Sequence, residues 1–307
     1  MDPRTALVRL SDAATERGLP FLRRMVSGVQ RAAEEVSTRL LGNDFEERFA
    51  ILAQRYEARG GDPFGFDPVA VRQAALLSAF FHRAYFRTEV FDVDRVPEGR
   101  VMLVANHSGQ IPIDAAIIGC TLFFDANPPR ITRAMVDKWT ATLPFVSTFF
   151  SRVGQVVGLP ENARRLLELN ELLLVFPEGV RGVSKPFRER YQLQEFGHGF
   201  MRLAIETQTP IVPVAVIGAE EQYVSFGRAR WAAQALGLPV FPVLPQMLVP
   251  GGQLPLPTKY RLFFGEPMHF DGDPEDQERV SHQVHLVKEA ISHILGRGLA
   301  QRKSVFF

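Results

Sequence analysis

The sequence predicts an α/β fold: a largely parallel central sheet covered by helices, preceded by an N-terminal helical extension. Three observations carry this expectation. From about residue 88 onward, short apolar runs alternate with helical patterns, the rhythm that produces parallel strands joined by crossover helices. The run at 172–176, LLLVF, is apolar without interruption, as a strand buried on both faces must be. The run IVPVAVI at Ile211–Ile217 has the same character.

Taken in order, residues 1–41 read as mostly helical, with a break at Gly18-Leu19-Pro20. Phe21, Leu22, Met25, Val26 and Val29 recur on one helical face. Residues 1–31 hold six Arg against Asp2, Asp12 and Glu16. A basic amphipathic helix of this kind can lie on an anionic membrane surface or pack on the domain. GGDPFGFDP at 60–68 is a loop by its Gly and Pro content. Residues 1–68 are therefore expected to form an N-terminal helical region, and 69–307 the α/β domain. The next helix should carry Leu76, Leu77, Phe80, Phe81, Ala84 and Tyr85 on one face. Strands are expected near 88–93 and at 101–105, with a helix near 114–123. A strand at 131–136, a helix at 139–150 and a short strand at 155–157 follow. The helical pattern ENARRLLELN leads into 172–176, and a helix near 197–207 into Ile211–Ile217. Residues 236–257 break the rhythm: six prolines in an apolar stretch exclude a regular helix and mark an insertion. A strand at 260–264 and a helix near 276–296 complete the pattern.

Composition narrows the function classes. Hydrophobic residues make up 46% and charged residues 22% of 307, ordinary for a globular protein with a sizeable core. A formal net charge of +1 gives no global argument for nucleic acid. The single cysteine, Cys120, excludes an internal disulfide and a cysteine-based metal cluster. No H-E-x-x-H spacing is present, so no metal is expected. The start, MDPRTALVRL, lacks a long apolar segment, which predicts no secretory signal. No uncharged apolar run reaches the roughly 18 residues of a spanning helix. Phenylalanine is abundant, at 25 against 5 Tyr and 2 Trp, which suits a core or a lipid-facing surface.

Two stretches carry chemistry. VANHSGQIPID places Asn106 and His107 where a strand ends and Asp114 where a helix begins. A histidine near neutral pKa can remove a proton from a hydroxyl, and a carboxylate on its other ring nitrogen fixes the tautomer. As a helix N-cap, Asp114 would instead have a purely structural task. LLLVFPEGVRG runs from a buried strand into Pro177, Glu178, Gly179 and Arg181, at the strand end where α/β sites form. Arg suits bidentate phosphate recognition, although a Glu-Arg pair can equally tie down a loop. His198 reads as a helix-start residue, and His282 and His285 as surface residues without a carboxylate partner.

With FFSRVG at 149–154 and IVPVAVIG at 211–218, these blocks resemble the PlsC-like glycerolipid and lysophospholipid acyltransferases over about residues 90–220. The resemblance implies transfer of a fatty acyl group from acyl-CoA or acyl carrier protein to a lipid hydroxyl. No cofactor is implied beyond that thioester co-substrate. Carried over by residue, His107 matches the catalytic histidine and Asp114 its partner. Arg152, Glu178, Gly179 and Arg181 match acceptor-binding positions, and Pro213 the proline of the last block. The family spacing leaves four residues between His and Asp, whereas six intervene here, Ser108 to Ile113.

The expected protein is a cytoplasmic enzyme peripherally associated with a membrane surface, resembling a 1-acylglycerol-3-phosphate acyltransferase. A neutral or non-glycerol lipid acceptor, a non-catalytic lipid-binding module, and an esterase using Ser108 are the alternatives. The absence of G-x-S-x-G weighs against the esterase.

Overall fold

The computed structural model describes residues 31, 34–109, 111–229, 231, 233–234 and 241–307. The chain divides into two units, Met1–Glu46 and Glu47–Phe307. Residues 34–41 of the first are helical, and the helix α1 (Phe45–Glu57) follows in the chain. The face expected on Phe21 to Val29 lies outside the described residues. The sheet and the site belong to the second unit.

Seven strands form one sheet in the order β1 (Glu89–Phe91), β7 (Arg261–Phe264), β6 (Ile211–Ile217), β2 (Val101–Ala105), β5 (Leu172–Val175), β3 (Thr132–Val136), β4 (Val156–Val157). All neighbours are parallel except β6 and β7. The expected sheet is therefore present. β2 lies at its centre, with Met102 opposite Ile211 on β6 and Leu173 on β5.

Period-two alternation divides the core. Met102 and Val104 point to one face, with α5 (Pro160–Glu168), α7 (Gly199–Thr207) and α8 (Gln277–Gln301). Val101, Leu103 and Ala105 point to the other, against Ile117, Ile118 and Leu122 of α3 (Ile113–Phe124). Every residue of β2 and β6 is buried, which explains why both read as unbroken apolar runs.

Two elements differ from expectation. Residues 139–150 do not form one helix. A 3-10 turn at Lys138–Thr142 ends before Pro144, Phe145 turns to φ 64°, and α4 spans only Val146–Arg152. Pro144 supplies no N–H and disfavours a helical residue before it.

The second difference concerns α2 (Pro68–Ala79), capped by Asp67, whose side chain accepts from Val69 N at 2.8 Å. It buries the small residues Ala70, Ala75 and Ala79. The chain then widens into a π-helix at Phe80–Tyr85, which breaks the 3.6-residue period. The expected face is split by this change of pitch. Phe81 and Tyr85 pack toward the core beside Phe86, while Leu76, Leu77 and Phe80 are exposed. In the Pro-rich stretch, residues 241–257 are irregular apart from an isolated bridge from Pro242 to Arg228 and a 3-10 turn at Pro245–Leu248.

Candidate active site

The C-terminal ends of β2, β5 and β6 meet at the centre of the sheet, where α/β proteins place their functional groups. Asn106 follows β2 directly. Its Nδ2 donates to Val216 O at 3.0 Å and its Oδ1 accepts from Val216 N at 2.7 Å. The buried amide thus imitates a peptide group and extends the β2–β6 pairing by one residue, which fixes where the chain leaves the strand.

His107 comes next. Its Nδ1 lies 2.8 Å from Asp114 Oδ2, so the six-residue interval does bring the two together. The interval is taken up by tight turns: Ile111 N donates to Gly109 O and Ile113 N to Ile111 O, each at 2.7 Å. Gly109 sits at φ 90°, and a side chain there would place its Cβ 2.8 Å from Ala219 O. Only glycine meets both demands. Gln222 Nε2 secures the turn by donating to Gly109 O at 3.2 Å, and Tyr260 OH donates to Gln222 Oε1 at 2.7 Å. Asp114 stands in the first turn of α3, whose N-cap is Pro112, so it is not the capping residue. Its Oδ2 also accepts from Ser108 N at 3.0 Å and its Oδ1 from Ala115 N at 2.8 Å. Because Ser108 N is committed to Asp114, it is not available to a substrate oxyanion.

The imidazole stacks on Phe176 with centroids 4.0 Å apart. The ring is 13% exposed. With Nδ1 engaged, Nε2 is the nitrogen left for a ligand.

Glu178 lies beneath this histidine rather than beside an open acceptor site. Its Oε1 accepts from His107 N at 2.9 Å, its Oε2 accepts from Gln194 N at 2.8 Å, and its side chain has no exposed surface. Gly179, at φ 55° and ψ −144°, turns the chain into the short helix α6 (Val180–Val183). Both expected guanidiniums already hold carboxylates. Arg152 donates to Asp67 Oδ2 from Nε at 3.2 Å and Nη2 at 2.7 Å, and this hydrogen bond holds the Asp67 carboxyl below its ordinary range. Arg181 donates to Glu195 Oε2 at 3.2 Å and is 56% exposed. Pro213 lies on β6 opposite Val104. Away from the site, His285 does have a carboxylate partner, with Nε2 3.2 Å from Glu289 Oε1. Among the described residues, no cluster of His, Cys, Asp or Glu is arranged to hold a metal.

Residues 87–217 match the family described as Acyltransferase. An uncharacterized protein of Mycobacterium tuberculosis is 34% identical over 97% of this chain and 87% of its own length. The chain belongs to the acyltransferase family. A DGAT1/2-independent enzyme synthesizing storage lipids from Homo sapiens is 27% identical over 66% of this chain and 60% of its own. The crystal structure of the 1-acyl-sn-glycerophosphate (LPA) acyltransferase PlsC from Thermotoga maritima aligns with a TM-score of 0.48 at 19% identity. That alignment covers 77% of this chain and 82% of the other.

This acyltransferase also carries buried charge that sequence reasoning missed. Lys185 and Glu220 meet at 3.0 Å below Glu178. The signal was present in VIGAEEQY, where two acidic residues follow a wholly buried strand after only Gly218 and Ala219. Burial pushes the Glu220 carboxyl up to about 7, against a partial lowering by Lys185. The sign of the pH dependence follows. Between its ordinary value of 4.5 and about 7 the folded state holds a proton that the unfolded state has lost. Stability from this group is complete below pH 4.5 and declines as pH rises toward 7. Glu220→Gln keeps an acceptor for Lys185 and removes the titration. Its stability relative to the parent should rise by up to about 3 kcal/mol across that window. Urea denaturation at pH 5 and pH 7.5 reads this directly, and curves that shift in parallel would contradict it.

Proposed function

We propose that this chain transfers a fatty acyl group from a thioester, acyl-CoA or acyl carrier protein, to the hydroxyl of a glycerolipid, with His107 as general base. The observation that carries this reading is the His107–Asp114 pair at 2.8 Å, with Nε2 left for a ligand at the centre of the strand ends. Nε2 takes the proton of the acceptor hydroxyl as its oxygen attacks the thioester carbonyl. Asp114 accepts from Nδ1–H, holds that tautomer and stabilises the imidazolium. Collapse of the tetrahedral intermediate breaks the C–S bond. The thiolate takes the proton back from His107, giving ester and thiol. A thioester is already activated, so a covalent enzyme intermediate is not needed. Ser108 as a nucleophile fits poorly, because its side chain is buried and its main chain is bound to Asp114.

A lysophospholipid such as lysophosphatidate would need Arg152 or Arg181 to exchange its carboxylate for the lipid phosphate. A neutral acceptor such as diacylglycerol needs no exchange, and that pairing favours it as the second reading.

Purified protein incubated with acyl-CoA and both acceptor classes should form ester. His107→Ala should lower turnover by about 10²–10⁴, the usual contribution of a positioned base, with acceptor binding little changed. Turnover within about tenfold of the parent would remove His107 from that role.

The same reading includes docking on a membrane surface, since the acceptor is insoluble. No helix among the described residues is long and apolar enough to cross a membrane. The Pro-rich stretch exposes Phe241, Val243, Met247, Leu248 and Val249, whereas Leu244 is buried. Prolines keep this stretch from forming a spanning helix, so shallow insertion suits it. Liposome flotation should weaken when Leu248 and Val249 both become serine. Unchanged flotation would exclude this loop as the anchor.

A further inference from the structure

Lys185 is a buried ammonium that the reaction above leaves without a task. Its Nζ donates to Glu220 Oε1 at 3.0 Å and to Gln192 O at 3.2 Å, and lies 3.4 Å from Glu178 Oε2. The side chains of Lys185, Glu178 and Glu220 are 2%, 0% and 4% exposed. None of the three can touch a substrate from there. Lysine is rarely placed so deep, because desolvating its charge is costly unless partners surround it.

Each contact leads to a different part of the site. Glu178 grips the main-chain N–H of His107 and of Gln194. Gln192 belongs to the segment that also supplies Glu195 to Arg181. Glu220 lies on the 3-10 turn Ala219–Glu221, just beyond the β6 residue that holds Asn106. One ammonium therefore joins the chain after β5, the 191–196 segment and the chain after β6.

We propose that Lys185 is a positioning residue for His107: seated between Glu178 and Glu220, it keeps the Glu178 carboxylate on the main-chain N–H of His107 and so fixes the turn that carries the ring. The proposal rests on reading His107 as the base. A buried carboxylate with two N–H donors still carries an uncompensated charge. Without a cation beside it, Glu178 swings toward water and loosens its hold on His107.

The test is a double-mutant cycle on the full chain with Lys185→Met and Glu178→Gln, read by two measurements. The first is amide hydrogen exchange in 104–109 and 191–196. The second is steady-state kinetics with kcat and acceptor KM resolved. Lys185→Met should speed exchange about tenfold or more in both segments together. It should lower kcat by about tenfold or more, with acceptor KM changed less than about threefold. Adding Glu178→Gln removes the uncompensated charge; its one amide oxygen still accepts from His107 N but leaves Gln194 N without its acceptor, so kcat and exchange in 104–109 should move back toward the parent while exchange in 191–196 stays fast. If Lys185→Met does not fold, the double variant should. Unchanged exchange after Lys185→Met, additive effects in the double variant, or failure of both variants to fold would each overturn the proposal. Faster exchange with unchanged kcat would instead overturn His107 as the base, and with it the catalytic meaning of the link.

Discussion

Asp114 is a fully buried carboxylate, and the protein gives it three donors: the ring of His107 and the main-chain N–H groups of Ser108 and Ala115. A charge taken out of water at that depth is tolerated only with such complete satisfaction. The arrangement therefore constrains its surroundings. The first turn of α3 must face the end of β2, and the chain between them must fold back on itself. The main-chain bonds from Ile111 N to Gly109 O and from Ile113 N to Ile111 O meet that demand, and Gln222 and Tyr260 hold Gly109 from behind.

A second buried carboxylate acts on the same residue from the opposite side. Asp114 orients the imidazole, Glu178 holds the peptide N–H behind it, and Phe176 covers the ring face. Asn106 fixes the preceding residue to β6. Ring rotation, backbone drift and strand slippage are thus each opposed by a different contact. On the proposed reading of His107 as the base, these contacts supply the positioning that general-base catalysis requires. The 13% exposure of His107 fits a group that is held on nearly every side yet reachable by a ligand.

Much of the fold was legible because the central strands obey one rule: strands covered on both faces read as unbroken apolar runs, and β2, β5 and β6 are of that kind. His107 and Asp114 were legible because they flank a strand end and a helix start. Three features were not, each for a physical reason. The solvent-facing Leu76 and Leu77 depend on a change of helical pitch at Phe80–Tyr85, which a fixed 3.6-residue period does not register. Glu178 and Arg181 stand in one short motif that reads as a ligand site, yet only burial distinguishes a carboxylate that holds the backbone from one that meets a substrate. Lys185 and Glu220 are 35 residues apart and come together through the β6 crossover, a long-range pairing that no local pattern encodes.

The central claim is that Asp114 acts by its charge and not merely by its shape. Asp114→Asn keeps an acceptor of the same size, so the variant should fold with its turn intact. Steady-state turnover of this variant against the parent, with thioester and lipid acceptor saturating, is the most direct measurement. The account predicts a fall in kcat of about 10² or more, since an amide oxygen that still accepts from Ser108 N and from Nδ1–H carries no charge to stabilise the imidazolium. A kcat within about threefold of the parent would contradict it and reduce Asp114 to a structural support for α3.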